Sequence, residues 1–509
     1  MVESRLFVFI KNSLSNVILK FFNIILGLLL VPIFIGKLGP ELYGVWVLNF
    51  AIFGYFYAVD ASISSGVIKY ISEAKAINDQ TLLLESIYNS LITYLFFGIL
   101  IFIFSQLLIN TQMLTWIIHD KEYLNIIKKM IFVSGIFAVV LWPLLVFPAV
   151  LQGLLKHTVL NLLKGITALL QQIVLITAIF FTTKMENLLT LFFLVSFISG
   201  MVLYYLVKRQ IKREFISIKL FNYNLLKKIS KFSGNIFVLE IFSMLAYQTD
   251  KIILALLLPI ESLTIYDIIS KLFYSLRSFY GMFLKVIQPM IFRAKKANDK
   301  AFIEKMIIKG TKYLNIIYIP LIILGIVISK PFITIWMGDT YGQYGYWSSF
   351  YIAQYLFTPM IGLIGTVVIG LSKTKMLQIF SLISVSLNLI ISIIAVQLYG
   401  FPGVLIGTVF SSFLIVPILY KFYCDAADID WRVPIKANWK ISLSQIIIFL
   451  LPGMIISNLF IKTWFELIFF ILIFIIAVYV FHFIFFVDKE DKLIIFPLLT
   501  KIFRVPIAK

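Results

Sequence analysis

Residues 12–35 read NSLSNVILKFFNIILGLLLVPIFI, and Lys20 is the one charged residue among them. A segment of about 20 mostly apolar residues can cross the hydrocarbon layer of a bilayer as a helix. Similar segments follow along the whole chain of 509 residues, of which 61% are hydrophobic and 13% are charged. Soluble domains carry about 25% charged residues. The composition therefore predicts an all-α integral membrane protein and excludes a soluble enzyme, a fibrous protein and a disordered chain.

Fourteen segments are long and apolar enough to be predicted as transmembrane helices. Pro143 and Pro148 predict a kink in the fourth, and Gly400 and Pro402 separate the eleventh from the twelfth within one long apolar run. The predicted cores are residues 12–35, 42–68, 83–109, 124–151, 158–181, 187–207, 232–258, 262–291, 306–329, 347–371, 376–398, 402–423, 441–460 and 465–487.

The distribution of basic residues favours this count. The N-terminus is interpreted as the start of the first membrane helix and not as a signal peptide. With that end in the cytoplasm, 32 of the 44 Lys and Arg residues fall in cytoplasmic segments and seven on the opposite face. Cytoplasmic loops are enriched in Lys and Arg, so both termini are predicted to be cytoplasmic. The net charge of +20 then indicates contact with anionic lipids, not with nucleic acid.

An internal repeat predicts how the helices are grouped. Residues 11–80 align with residues 231–300 at an offset of 220 without a gap, and the loop residues AK and ND at 74–75 and 78–79 recur at 294–295 and 298–299. The repeat pairs spans one and two with spans seven and eight in the same orientation. It predicts two pseudo-symmetric six-helix lobes around a site, as in many transporters. The alternative is one packed bundle with coincidental similarity.

The predicted organisation has three parts. Residues 1–215 form the N-terminal lobe with helices one to six, and residues 216–425 form the C-terminal lobe with helices seven to twelve. Residues 426–509 add helices thirteen and fourteen and a cytoplasmic tail.

Ionisable residues inside the predicted spans are the candidate functional groups, because charges at membrane depth are costly. They lie on polar faces of spans one, two, seven and eight, which fits a water-filled cavity better than a dry core. Cations there would bind an anionic substrate, and acids would couple transport to H⁺ or Na⁺ or balance the cations. The candidate cations are Arg277, Lys285, Lys271 and Lys20, and the candidate acids are Asp60, Glu240, Asp250 and Asp267.

Each candidate also has a structural interpretation that the sequence leaves open. The alternatives are an ion pair between Lys20 and Asp60, a pair of Arg277 with Glu240 or Asp250, and a solvated or capping position for Asp267.

The sequence gives little support for a metal site or for enzymatic catalysis. Cys424 is the one cysteine, and three histidines are scattered near the ends of spans, so we expect no metal site. Neither a nucleophile motif nor a Gly-rich phosphate loop is present. The longest external loop is about a dozen residues by the span count, too short for a catalytic domain. We therefore expect a protein that is not an enzyme and has no cofactor.

Several short motifs resemble one known family, the Wzx-type polysaccharide transporters, which are O-antigen and oligosaccharide flippases. LGPELYGVW from Leu38 resembles the loop after their first span, and VDASISSGVIKYISE from Val59 is similar to the Asp-led end of their second. LQGLLKHTVLN from Leu151 resembles the loop after span four. QTDKIILALL from Gln248 and YDIISKL from Tyr266 resemble the start of the second repeat. The resemblance covers roughly residues 10–425.

This resemblance implies a MATE-like fold, within the multidrug/oligosaccharidyl-lipid/polysaccharide exporter superfamily, with a cavity that opens alternately to each side. It implies that the protein flips an undecaprenyl-diphosphate-linked oligosaccharide across the cell inner membrane without chemical change. Membrane lipids and other polysaccharide assembly proteins are the expected partners.

Two alternative functions remain, a multidrug exporter of the same fold and a membrane-embedded polysaccharide polymerase. The spans contain five bases, the four candidate cations and Lys251, against four acids, which favours an anionic substrate over cationic drugs. The short external loops disfavour a polymerase.

Overall fold

The computed structural model describes residues 2–118, 120–296, 299–371 and 374–486. His119, Asn298 and the tail from residue 487 lie outside these ranges, and the side chain of Lys285 lies outside the described part as well. Within the ranges every regular element is a helix, which confirms the predicted all-α class.

Twenty α-helices follow one another along the chain. They are α1 (Val2–Leu38), α2 (Pro40–Gly54), α3 (Tyr57–Ala76), α4 (Gln80–Asn110), α5 (Met113–Ile117), α6 (Lys121–Leu141), α7 (Val146–Gly153), α8 (His157–Ala178), α9 (Met185–Ile211), α10 (Tyr223–Leu257), α11 (Glu261–Lys296), α12 (Lys300–Met337), α13 (Asp339–Gly342), α14 (Gly345–Ala353), α15 (Thr358–Gly370), α16 (Thr374–Tyr399), α17 (Phe401–Ala426), α18 (Arg432–Gln445), α19 (Leu451–Phe460) and α20 (Trp464–Phe485).

The described chain contains ten helical segments that are long and apolar enough to cross a membrane, and up to twelve if two bent pairs each count as one span. One bent pair is α2 with α3, and the other comprises Asp339–Phe357 and Ile361–Ile369. The predicted spans seven and eight correspond to α10 and α11, which have 35 and 36 residues but are not among the apolar candidates. The protein is a multi-pass membrane protein, while the count of fourteen stays a prediction.

Two breaks interrupt predicted spans and shape the first half of the chain. α2 and α3 meet at an angle of 40°. α6 ends before a 3₁₀ turn at Pro143–Leu145 that leads into α7. Proline has no N–H to donate to the preceding turn, so the kink predicted at Pro143 is present as a full interruption.

The described helices belong to two compact units. The first comprises Met1–Ile268 and Gln378–Thr408, and the second comprises Ile269–Leu377 and Val409–Lys509. The predicted lobes, residues 1–215 and 216–425, stay a prediction.

Small residues bring helices of the first unit close together. A Cβ atom at Gly98 on α4 would meet the backbone of Ala138 on α6, and one at Gly135 on α6 would overlap Ser105 on α4. In a bilayer, close packing of small residues is a main source of helix association. These glycines therefore fix α4 against α6, and α6 supplies part of the wall of the cavity described below.

In the second unit, α18 and α19 dock on α12 through side-chain hydrogen bonds at a constant sequence offset of 130 residues. Asn438 donates to the carbonyl of Ile308 at 3.2 Å, and Gln445 donates to the carbonyl of Asn315 at 3.3 Å. Ser457 donates to the carbonyl of Val327 at 2.8 Å. The helices therefore run in the same direction in one register. We call this row of contacts the α12 seam.

The contact of Ser457 has a specific cause. Pro331 lies inside α12, and because proline lacks an N–H, the carbonyl of Val327 four residues earlier loses its helical donor. Ser457 is fully buried and its hydroxyl replaces that donor.

We expect Ser457→Ala to destabilise the protein by about 1–2 kcal/mol, because a buried acceptor loses its donor. In a Pro331→Ala background the backbone N–H at residue 331 returns, and the cost of Ser457→Ala should shrink. Unfolding of the four proteins in detergent gives the interaction energy of the pair. Ser444→Ala is the control, since the hydroxyl of Ser444 bonds within its own helix, to Ile441. Strictly additive effects of Ser457→Ala and Pro331→Ala would contradict this account.

Candidate functional site

A cavity of about 390 Å³ lies inside the first unit. Its walls come from α2, α3, α6, α8 and α9 and from the break between α6 and α7. It is lined by central segments of α8 and α9 and by the last turns of α6, and all three helices are long and apolar enough to span a membrane. Its polar lining residues are Asn49, Tyr57, Asp60, Ser134, Lys164, Thr167, Gln171, Ser196 and Ser199, and its aromatic lining residues are Phe50, Phe53, Phe56, Phe137, Trp142, Phe192 and Phe193.

Both helix breaks open onto this cavity. Gly54 and Phe56 flank the bend between α2 and α3, and Trp142 and Leu144 belong to the break after α6. A Cβ atom at Gly54 would overlap the end of the Gln248 side chain, so glycine lets that side chain of α10 pack directly against the end of α2. Irregular backbone at membrane depth is tolerated where it lines a cavity, and these breaks meet that condition.

Asp60 is the predicted acid that the structure places in the cavity. The hydroxyl of Tyr94 donates to its Oδ1 atom at 2.8 Å, and the positive charge of Lys164 also acts on the carboxylate. Tyr94 is fully buried and packs against Trp142. The hydrogen bond from Tyr94 therefore fixes the carboxylate of Asp60 where it lines the cavity.

The other polar lining residues hold one another in place. Asn49 and Ser134 exchange hydrogen bonds at 3.2 and 3.3 Å. Gln171 donates to Ser196 at 2.8 Å, and the hydroxyls of Thr167 and Ser199 lie 2.6 Å apart. These pairs connect α2 with α6 and α8 with α9, so the cavity presents an ordered set of amide and hydroxyl groups.

Lys164 is the cavity residue that the sequence interpretation placed elsewhere, in a cytoplasmic segment. The structure puts it on α8, where Lys164, Thr167 and Gln171 all line the cavity. Their spacing of three and four residues places them on one helical face. That periodicity was the signal in the sequence, and the predicted fifth span, residues 158–181, already contains all three residues.

Asp250 on α10 is buried with 2% exposure and belongs to a second polar cluster of the first unit. Its Oδ2 atom accepts hydrogen bonds from Tyr266 at 2.8 Å and from Thr408 at 2.9 Å. Asn388 donates to the hydroxyl of Thr408 at 3.0 Å. The Oδ1 atom of Asp250 is buried without a hydrogen-bond partner, so one of its two carboxylate oxygens is unpaired.

Asp267 on α11 is held differently. The hydroxyl of Tyr43 donates to its Oδ2 atom at 2.7 Å, and both residues are buried. The solvated position considered for Asp267 is therefore wrong, because Tyr43 at the start of α2 covers it. The neighbouring Thr264 donates to the carbonyl of Pro40 at 2.6 Å, which fixes α2 to the beginning of α11.

Arg277 lies in the second unit on α11, near the phenol groups of Tyr318, Tyr351 and Tyr355. The ring of Tyr280 packs on that of Tyr318 with 4.7 Å between centroids. The electrostatic surroundings of the guanidinium are therefore set largely by tyrosine hydroxyls.

The remaining candidates are less defined. Lys271 on α11, Lys20 on α1 and Glu240 on α10 are partly exposed, and the pairing of Lys20 with Asp60 stays a prediction. In the ranges that the structure describes, no three His, Cys, Asp or Glu residues are grouped as metal ligands would be.

The helices and their buried polar groups define a multi-pass membrane protein with the MATE/MurJ-like fold. A solved structure described as the lipid II flippase MurJ in an inward closed conformation superposes with a TM-score of 0.71 and 20% sequence identity, covering 92% of this chain and 98% of that one. An inward-facing multidrug resistance MATE family transporter of the MOP superfamily gives a TM-score of 0.66 and 14% identity, covering 80% of this chain and 94% of that one.

The sequence gives the family. The model described as polysaccharide biosynthesis protein matches residues 9–295, so the chain belongs to that family. A Shigella flexneri protein assigned as an O-antigen transporter is 24% identical over 338 residues, which are 65% of this chain and 77% of that protein. The resemblance drawn from the motifs is thereby confirmed.

Proposed function

We propose that the protein moves a lipid-diphosphate-linked oligosaccharide from the cytoplasmic to the outer face of the inner membrane by alternating access, with both termini in the cytoplasm. The cavity of the first unit carries this proposal. It offers a carboxylate, an ammonium, amides and hydroxyls beside aromatic rings. Sugar hydroxyls need hydrogen-bond partners when they leave water, since unpaired polar groups cost several kcal/mol in hydrocarbon. Aromatic rings pack against the apolar faces of sugars.

The comparisons support the same reaction. The family is one of polysaccharide biosynthesis proteins, the Shigella flexneri relative is assigned as an O-antigen transporter, and the MurJ structure is described as a flippase. Undecaprenyl diphosphate is the proposed carrier lipid.

Lys164 tests the role of the cavity. Lys164→Met keeps the length of the side chain but removes its charge and donors, and we expect translocation of lipid-linked oligosaccharide in proteoliposomes to fall at least tenfold. Melting in detergent should not change, because Asp60 keeps its hydrogen bond from Tyr94. Lys156→Met, just before α8 and exposed, is the matched control. A normal rate for Lys164→Met would remove the cavity from the transport route. Drug export by the wild type in place of oligosaccharide transport would instead support the multidrug alternative.

We propose that the basic residues of α11 bind the diphosphate group of the substrate. Lys271, Arg277 and Lys285 follow one another along the sequence of α11 over fourteen residues, which corresponds to about 21 Å of helix. A guanidinium binds phosphate oxygens with two parallel hydrogen bonds, which an ammonium cannot do.

Arg277→Ala should abolish translocation and leave a folded protein, while Arg277→Lys should retain part of the rate because charge remains without the planar fork. Translocation and detergent melting are measured together for each variant. If Arg277 is instead a structural partner of a buried acid, Arg277→Ala should lower the yield of folded protein. Full activity of a stable Arg277→Ala protein would exclude Arg277 from the mechanism.

The ion that drives transport is proposed to bind at Asp250. Among the residues that the structure describes, its Oδ1 atom is a buried carboxylate oxygen without a hydrogen-bond partner, whereas Oδ2 already accepts two hydrogen bonds. The network from Tyr266, Thr408 and Asn388 connects α10, α11, α16 and α17, so that binding of H⁺ or Na⁺ would alter the contacts of four helices.

Imposed pH and Na⁺ gradients should accelerate translocation by the wild type for one of the two ions, and Asp250→Asn should remove that acceleration. Asp267→Asn is the matched comparison: it removes a buried acid on a neighbouring helix and should lower stability while the gradient effect persists. Asp250→Asn protein that still responds to the gradient would place the coupling elsewhere.

A further inference from the structure

Residues 212–223, which we call the α9–α10 strap, lead from the end of α9 into the first residue of α10. The chain reverses at Lys212, whose φ of 56° is left-handed. Phe215 is buried, and its ring packs on that of Tyr204 with 5.9 Å between centroids. Tyr204 lies seven residues, or about 10 Å, before the end of α9. The strap therefore runs back along α9 and does not extend away from it.

Hydrogen bonds to α4 hold the strap at a similar depth. The side-chain amide of Asn89, which is fully buried, donates to the carbonyl of Leu220 at 3.1 Å and accepts from the N–H of Asn222 at 3.2 Å. Asn222 in turn donates to Glu85 at 2.8 Å. Asn89 lies nine residues, or about 14 Å, beyond the start of α4, and inside the predicted span 83–109. We therefore place the strap at the membrane boundary, not in the water beyond the helix ends.

The outward face of the strap is apolar. Phe215 and Leu220 pack against the core of the first unit. Four large side chains of the strap instead have between 46% and 81% of their surface exposed, and these are Ile216, Ile218, Phe221 and Tyr223. Exposure of so much apolar surface in one short segment is unfavourable in water. The face therefore indicates an apolar partner.

The charges of the strap identify the kind of partner. Lys212, Arg213 and Lys219 are exposed, and Glu214 is the one acid in the strap. The strap belongs to the loop that the distribution of Lys and Arg predicts to be cytoplasmic, where the leaflet carries anionic lipids. Segments that combine bases with large apolar side chains bind such a leaflet at the boundary between headgroups and acyl chains. An acidic soluble protein would match the bases, but not the depth at which Asn89 holds the strap.

We propose that the strap is a membrane-contact surface of the first unit. Its four exposed apolar side chains enter the predicted cytoplasmic leaflet, and Lys212, Arg213 and Lys219 bind the headgroups of anionic phospholipids. The hydrogen bonds of Asn89 and Asn222 connect this surface rigidly to α4, so the leaflet holds the first unit as well as the strap. The contact involves neither the cavity nor a step of transport.

The depth of the strap can be measured with a fluorophore. Cys424 is the one cysteine, so a Cys424→Ser background accepts a single label. Ile218→Cys carries the fluorophore NBD in vesicles of equal parts phosphatidylcholine and phosphatidylglycerol. Gln80→Cys, at the start of α4 and exposed, is the matched control. Lipids with brominated acyl chains should quench the label at position 218 severalfold more than at position 80, and iodide on both sides of the vesicles should show the reverse order.

The headgroup contact has its own measurement. In vesicles of the same composition, bromines carried by phosphatidylglycerol should quench the label at position 218 more strongly than bromines carried by phosphatidylcholine, because anionic lipid is enriched around the bases. Changing the three bases of the strap to Gln should abolish this difference. The matched control removes the same charge from α17 and α18 by changing three other exposed lysines to Gln, and it should leave the difference intact; these are Lys421, Lys436 and Lys440.

Three results would overturn the proposal. The strap lies in water if iodide quenches the label at position 218 as strongly as at position 80. Protection from iodide without quenching by brominated lipids would indicate contact with a protein, such as a second copy of the chain. Equal quenching by the two brominated lipids in the protein with all three strap bases would exclude the headgroup contact. Melting in detergent verifies that each variant is folded, and none of the measurements requires translocation.

Discussion

The absence of hydrogen-bond partners in the hydrocarbon layer is the constraint on which this structure depends. Backbone and side-chain polar groups there must be satisfied within the protein. Where α12 loses a helical hydrogen bond at Pro331, a serine from α19 supplies the donor. Where Asp267 is removed from water, Tyr43 covers it. These contacts connect distant parts of the chain, so the same requirement that limits polar groups also fixes which helices pack together.

That constraint explains where the cavity lies. The two breaks within predicted spans, after Gly54 and after Leu141, both open onto it. A broken helix exposes backbone groups, and a polar cavity is the one place in a membrane where water or a ligand can satisfy them. The helix breaks and the hydrogen-bonding side chains therefore contribute to the same cavity. Each break supplies room for a substrate, and the paired amides and hydroxyls hold the wall in shape.

The sequence alone predicted a helical membrane protein, because repeated apolar segments of about 20 residues indicate membrane-spanning helices. It also singled out Asp60 and Asp250 as candidate functional acids, since a carboxylate within an apolar segment is costly. It could not predict Tyr94 or Thr408 as their partners, because those lie 34 and 158 residues away and only packing brings them close. Lys164 lies within the predicted fifth span, residues 158–181, near its start, and was counted there with the basic residues of a cytoplasmic segment. The count of fourteen depends on α10 and α11, whose charged residues make them less apolar than the other spans.

The constant offset along the α12 seam has a consequence for synthesis of the chain. The carbonyl of Val327 stays without its donor until Ser457, 130 residues further on, has been synthesised. At a translation rate of about 5–20 residues per second, that interval is roughly 6 to 26 seconds. During it, α12 enters the membrane with an unmet acceptor one turn before Pro331, and it reaches its final hydrogen bonding only when α19 arrives. Insertion of the last helices thus completes the folding of α12. A chain that ends before residue 457 keeps an unpaired carbonyl in α12, and we expect proteases of the cell to degrade it.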